Sequence, residues 1–370
     1  MKKFNLKTGF LLLFSVFIML SACEEEDSTP IIIDPNDTTV VNGPYYNGVL
    51  ITNEGTFGLG NGSLSFYSYE KDSLSNNIFS ATNDRALGDV VQSVTIQDTL
   101  AFIVVNASNK VEVVINEYCS EYKVINNLIS PRYYHAIDST KGYVSQWGEN
   151  GAVKVIDLKT FTVSKTIATG AGSEQMLLHN NYVYVANSGG YGNNNTVSVI
   201  DANTDEVVKT IVLDGDSPRD LALDANGYIW VICAGYVDWS NYPAYTETTS
   251  KLIKINPDNN SVVASIAIGE SYHPTCIETN KDKTHLIYGG GFGVQGVYKM
   301  AIDESTPPST PIINKYIYGF NVSPKTGNIF ATEAPTYTSN GTLYRFDENG
   351  TELGSYEAGI GPNGAGFKKK

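Results

Sequence analysis

The sequence predicts an all-β protein, a seven-bladed β-propeller with four antiparallel strands in each blade. A four-strand unit recurs at a period of roughly 40 to 50 residues. No segment carries the apolar period of a long amphipathic helix. The first unit has only three strands, and a segment fit to be its fourth stands alone at the other end of the chain.

The repeat is clearest where SPRDLALDANGYIWVICAG (Ser217 to Gly235) is laid over GSEQMLLHNNYVYVANSGG (Gly172 to Gly190). Each reads as strand, turn, then a second strand ending in small residues. A third strand follows at Lys110 (KVEVVI), Ala152 (AVKVID), Thr196 (TVSVID), Lys251 (KLIKIN) and Thr342 (TLYRFD). A fourth follows at Thr162 (TVSKTI), Glu206 (EVVKTI) and Ser261 (SVVASI). Val, Ile, Tyr and Thr at period two suit a half-buried pleated surface. Inner strands are expected to begin near Asp89, Pro131, Glu174, Pro218, Pro274 and Tyr318. The unit from Val49 holds VLITN, GSLSFYSY and SLSNNIF, all read as strands. GIGPNGAGF, Gly359 to Phe367, matches the inner-strand pattern, with Pro362 where Pro218 sits. It is expected to complete the first blade, closing the ring at seven and removing the open sheet edge. A sandwich would not repeat this way.

Ahead of the propeller, Lys2, Lys3 and Lys7 precede an apolar run from Phe10 to Leu20. That run is shorter than the about 20 residues a membrane span needs, so residues 1–22 read as a secretory signal. Leu20-Ser21-Ala22-Cys23 resembles the lipobox of bacterial lipoproteins, which implies lipidation of Cys23 and a membrane attachment through it. Glu24 to Asp27 are four successive carboxylates, a solvated tether. An acidic run in this position also resembles the surface-export signal of Bacteroidota lipoproteins, so the protein is expected at the outer membrane, facing the exterior. Residues 23–47 read as tether and residues 48–367 as propeller.

The chain carries a net charge of −14, and residues 1–22 hold three lysines and no acid, so the remainder is more acidic still. Nucleic acid is excluded as a main partner, because it needs a basic footprint. Cys119, Cys233 and Cys276 lie in or beside apolar runs without CxxC spacing and read as buried thiols, with a disulfide between two of them left open. The four histidines lack metal-ligand spacing, and no cofactor motif is present.

In a propeller the loops between second and third strands open on one face. The links into each next inner strand open on the same face. The loop Asn187–Asn195, wide and rich in Asn and Gly, belongs to this set, as does the longest, Cys233 to Ser250. Together they bring an aromatic rim: Phe57, Trp147, Tyr191, Tyr236, Trp239, Tyr242, Tyr245, Phe292 and Tyr337, with Tyr133, Tyr134 and Tyr272 from the links. Some of these rings will pack under their own loops. So many on one rim point to an exposed binding patch. Aligning the inner strands places Gln92, Arg132, Gln175, Arg219, Thr275, Gly319 and Asn363 at equivalent positions near the channel mouth. Aligning the second strands gives Asn53, Asn106, Gln146, Asn187, Cys233, Gly289 and Glu333. Amides dominate both rings. They suit a ligand with many polar groups, or they tie neighbouring blades together.

LGDVVQSVTI from Leu87, VVNASNKVEVV, NEGTFGLGNGSLSFYSY, SPRYYHAI from Ser130 and YVANSGG with VSVID resemble the YncE-like seven-bladed propellers. Within that group the chain looks most like the BtuG-type surface lipoproteins of Bacteroidota. The resemblance implies capture of cobalamin and its transfer to a TonB-dependent transporter. Other relatives in that group capture other molecules, siderophores among them. The rim suits a corrin, which is broad, amide-bearing and apolar at its edges. A glycan or protein ligand is the alternative binding class. An enzyme, a lyase or hydrolase, is the alternative of a different kind. Glu54, Glu149, Asp238, His273 and Glu333 are its candidate groups, but no spacing singles out a pair, and the reading taken is a non-enzymatic binder.

Overall fold

The computed structural model describes residues 42–368. The expected signal segment, Cys23 and its acidic run lie outside them. Seven four-stranded antiparallel sheets form the blades. Their inner strands are Pro362–Gly366 for blade 1, then Val91–Gln97, Pro131–Ala136, Ser173–His179, Pro218–Leu223, Cys276–Thr279 and Gly319–Val322 for blades 2 to 7. The last six begin within two residues of the expected positions.

Blade 1 is built from both ends of the sequence. Gly48–Asn53 pairs with Ser63–Ser68 on one side and with Pro362–Gly366 on the other, Leu50 opposite Gly366 and Ile51 opposite Ala365. Asn53 reinforces the closure by accepting the Gly359 N–H at 3.1 Å. Gly319 packs so close to this strand that a Cβ there would lie 2.0 Å from the Asn363 carbonyl oxygen.

SLSNNIF departs from its expected strand. Only Ser73–Ser75 pairs in the sheet, and Ile78–Asn83 is a short helix. Asn77, in the left-handed region at φ 58°, turns the chain out of the sheet plane. Ile78 and Phe79 are then buried in the apolar cluster between blades 1 and 2. Asn83 pins the helix to blade 2, donating to the Cys119 carbonyl and accepting the Glu121 N–H at 2.9 Å each.

The core is seven apolar clusters, one at each seam between neighbouring blades. Middle strands are covered on both faces, which is why LAFIVV (Leu100–Val105) and IWVIC (Ile229–Cys233) lose the polar half of their alternation. Trp230 is the largest wholly buried side chain, and its indole N–H donates to Asp224 at 2.9 Å. Polar bonds staple the outer seams. Lys141 pairs with Asp205 at 2.8 Å, Tyr184 donates to Asn260 at 2.8 Å, and Arg345 pairs with Asp72 at 2.7 Å. Cys119, Cys233 and Cys276 are unpaired thiols. Burial pushes Cys119 and Cys276 up to about 12.

Two outcomes test this architecture. Trp230→Ala empties the seam between blades 5 and 6 and is expected to cost about 3–5 kcal/mol in chemical denaturation. Deleting Gly361–Lys370 removes the inner strand of blade 1. Loss of a single cooperative unfolding transition is expected, and a truncated protein that melts like the full chain would contradict the closure.

Candidate functional site at the channel mouth

The inner strands do not run straight into the channel. Those of blades 2, 3, 4 and 5 each carry a β-bulge at their first residues, between Val91 and Ser93, Pro131 and Tyr134, Ser173 and Met176, and Pro218 and Asp220. A bulge sets two residues opposite one and turns the strand. Consecutive residues therefore face the channel together: Gln92 with Ser93, Arg132 with Tyr133, Glu174 with Gln175, and Arg219 with Asp220. They line a cavity of about 510 Å³, joined by Glu54, Thr275, Phe292, Tyr318, Tyr337 and Asn363.

Charged side chains of both signs line the cavity. On blades 3 to 5, Arg132 Nε and Arg219 Nη1 donate to the two oxygens of the buried Glu174, at 2.8 and 2.7 Å. Glu174 also accepts from the Trp147 indole at 3.2 Å and the Ser188 hydroxyl at 3.3 Å. Arg132 lies over the Trp147 ring, 4.4 Å from its centroid, and donates to Gln92. Two further carboxyls line the same cavity, Glu54 and, beside Arg219 on blade 5, Asp220. Burial raises the Glu54 pKa, opposed by hydrogen bonds from Tyr318 at 2.8 Å and Asn363 at 3.1 Å and by the Arg132 charge. Burial, with the Glu278 charge behind it, pushes Asp220 well above the usual carboxylate range, although two backbone N–H groups bond it.

Of the residues expected in the site, Gln92, Arg132, Gln175, Arg219, Phe292 and Tyr337 line this cavity. Phe292 stacks on Tyr337 at 4.4 Å, with Tyr318 edge-on at 6.2 Å from Phe292. Trp147 stands behind Arg132, and the exposed Tyr191 packs edge-on against it at 5.1 Å. Phe57 projects from a loop tied to the Tyr337 loop by a Thr56 hydroxyl bond of 3.0 Å. Trp239 and Tyr245 meet at 4.7 Å on the long fifth loop, beyond the cavity lining, and Tyr236 sits half-buried at its base. That loop is not a plain excursion but holds a small hairpin, Val237–Asp238 paired with Thr246–Glu247.

Tyr134 and Asn187 are not at the mouth. The bulge in blade 3 spends its channel-facing positions on Arg132 and Tyr133. It turns Tyr134 into the seam with blade 2, stacked flat on Phe102 at 3.9 Å. Asn187 is wholly buried and donates to Thr196 at 3.1 Å and Ser198 at 3.0 Å. Asn53 and Asn106 likewise spend their amides on Ser65 and on the Pro131 carbonyl, so these second-strand amides tie the structure together. Tyr133, expected on the rim from its blade link, does line the cavity, whereas period-two reasoning passed over Glu174 and Asp220 as site residues because a bulge is invisible to it. Among the groups considered for catalysis, only Glu54 reaches the cavity. Glu149 pairs with Lys154 at 2.6 Å, His273 with Glu247 at 3.0 Å, and Glu333 accepts from Tyr344 at 2.7 Å. Asp238 accepts the Ser240 N–H on the fifth loop at 2.9 Å.

A family model described as a domain of unknown function, DUF5074, matches residues 47–359. No curated protein is similar to the chain by sequence. Among solved structures, a Bacteroides fragilis protein provisionally described as a 6-phosphogluconolactonase superposes with TM-score 0.65 at 12% identity, covering 88% of this chain and 99% of its own. A Bacteroides uniformis protein described in the same way gives 0.63 at 13%, covering 86% and 99%. A quinonprotein alcohol dehydrogenase-like protein of Bacteroides thetaiotaomicron gives 0.62 at 13%, covering 87% and 78%. At these identities the likeness is one of fold.

The raised carboxyl of Glu54 makes a pH prediction. A buried acid with a raised pKa favours its neutral form in the folded state, so its contribution to stability falls as pH rises from the ordinary carboxylate range through the raised value. Glu54→Gln keeps an acceptor for Tyr318 and Asn363 and removes the charge. It should melt higher than the parent at pH 8 and together with it near pH 4. Equal melting at both pH values would show that Glu54 is not destabilised by its charge.

Proposed function

From the premise that the chain belongs to the DUF5074 family, we propose that it is a ligand-capture propeller whose channel mouth seats a bulky polar small molecule. Cobalamin is the first candidate. The carrying observation is the arrangement of the mouth. A polar cavity is flanked by Trp147 and Tyr191 at blades 3 and 4 and by Phe292 and Tyr337 at blades 6 and 7. Tyr191 is 91% exposed and Phe292 52%, which is costly for rings with nothing to bind. A corrin is too broad to enter a cavity of about 510 Å³. It would lie across the rim, its edges on the aromatic pairs and its amides within reach of Gln92 and Gln175. In the same reading Cys23 carries a lipid, the protein faces the exterior from the outer membrane, and a TonB-dependent transporter receives the ligand. A siderophore or glycan would use the same rings.

A hydrolase is the second reading, and one observation favours it: Glu54 and Asp220, both with raised pKa, share the cavity with two arginines. The lactonase descriptions of the two structural neighbours add only analogy. Turnover of a sugar lactone that Glu54→Gln abolishes would establish this reading over capture.

The capture reading is tested by titrating cyanocobalamin into the parent and into Tyr191→Ala, Phe292→Ala and Trp239→Ala. Truncating an aromatic anchor costs about 2 kcal/mol, roughly a thirtyfold loss of affinity. Tyr191→Ala and Phe292→Ala should show that loss with unchanged melting, because exposed loop tips contribute little to the core. Trp239→Ala reports whether the ligand extends over the fifth loop. Parent-like binding by all three would move the search to the opposite face. For the location, Cys23→Ala should release the protein from membranes. Replacing Glu24–Asp27 by alanine should leave it anchored but protected from external protease.

A further inference from the structure

We infer that the arginine pair of the cavity, Arg132 and Arg219, is a subsite for an oxyanion, a carboxylate or phosphate group carried by the ligand. This deepens the capture reading and rests on it for the identity of the whole molecule.

The argument starts from a charge count. Two guanidinium groups share one carboxylate, so Arg132, Glu174 and Arg219 together keep one positive charge. Glu174 cannot swing to serve the arginines differently, because Trp147 and Ser188 hold it from behind. Both arginines line the cavity and keep part of their side chains exposed, 15% for Arg132 and 28% for Arg219. Arg132 is engaged twice, by Glu174 and Gln92. Among the described residues, the hydrogen bonds of Arg219 run through Nη1 alone, and its Nε–H is buried without a partner. A buried donor left unpaired costs free energy and calls for an explanation. Arg219 is the more exposed of the two arginines and only its Nη1 is engaged, so a small turn of the side chain would bring its remaining N–H groups to carboxylate or phosphate oxygens, which a guanidinium binds in pairs.

Two more carboxyls line the cavity, Glu54 and, next to Arg219, Asp220. Glu54 is held by Tyr318 and Asn363, and Asp220 accepts two backbone N–H groups. Burial favours the neutral form of both carboxyls.

Sulfate is the simplest probe, since it keeps its charge across the pH range of folded proteins. Calorimetric titration of the full chain with sulfate should give saturable binding. Arg219→Gln should weaken it at least about tenfold, while the exposed-surface control Lys209→Gln changes nothing. Arg219→Lys preserves a cation for Glu174 but not the fork. It should also lose affinity and serves if the glutamine variant fails to fold. Cyanocobalamin carries a phosphodiester that dicyanocobinamide lacks, on the same ring. Tighter binding of the first, with the difference erased in Arg219→Gln, would support the subsite and the capture reading together. Arginine-dependent sulfate binding without binding of either corrinoid would keep the subsite and remove cobalamin. No saturable sulfate binding, or equal sulfate binding in parent and variants, would overturn the subsite. Corrinoid binding would then leave the capture reading standing by itself.

Discussion

Closure of the ring is the constraint on which everything else depends. Each seam buries an apolar cluster that belongs half to one blade and half to the next, so no blade has a core of its own. Pro362–Gly366 supplies the inner strand that blade 1 lacks, and with it the seams on either side of that blade are complete. The channel-lining residues inherit their positions from this closure. Asn363, on the closing strand, holds Glu54, and Glu54 in turn holds Tyr318 beside the aromatic stack.

The blades were legible because a repeat averages out local ambiguity. Any single short apolar run is uncertain between strand and buried helix. TVSVID, AVKVID and KLIKIN at equivalent points remove the doubt. The third segment of blade 1 broke the rule because nothing repeats it. Ile78 and Phe79 satisfy a strand pattern as well as a one-turn wedge, and only the seam beneath decides between them. The candidate site was legible by half. Arg132, Arg219 and Gln92 fall out of strand alignment, whereas Glu174 and Asp220 reach the channel through bulges. A bulge depends on backbone geometry that the residue types at Ser173 to Met176 do not announce. Tyr134 was misplaced for the same reason, since an added residue reverses which neighbour faces inward.

The mouth also shows where stability and recognition part. A buried ion pair returns little net stability, because desolvation offsets the attraction. Glu174 between two arginines is thus a poor device for holding blades together, and Asp220 and Glu54 are worse. The seams do that work with Trp230, Tyr143 and Phe330. Glu174, Asp220, Glu54 and the two arginines stand where the channel opens.

Sharing blade 1 between the two ends of the chain sets an order of assembly. Thr52 meets Asn363 across 311 positions of sequence, whereas each of blades 2 to 7 draws its strands from one continuous stretch. Contacts of such long separation form late, after the shorter loops have closed. During synthesis the segment Gly48–Ser75 emerges ahead of the other blades and must wait, one sheet edge bare, until nearly all of the propeller has followed. The unfinished chain therefore exposes this adhesive edge throughout elongation of the propeller, and a holding chaperone would have its clearest target at the first blade to leave the ribosome.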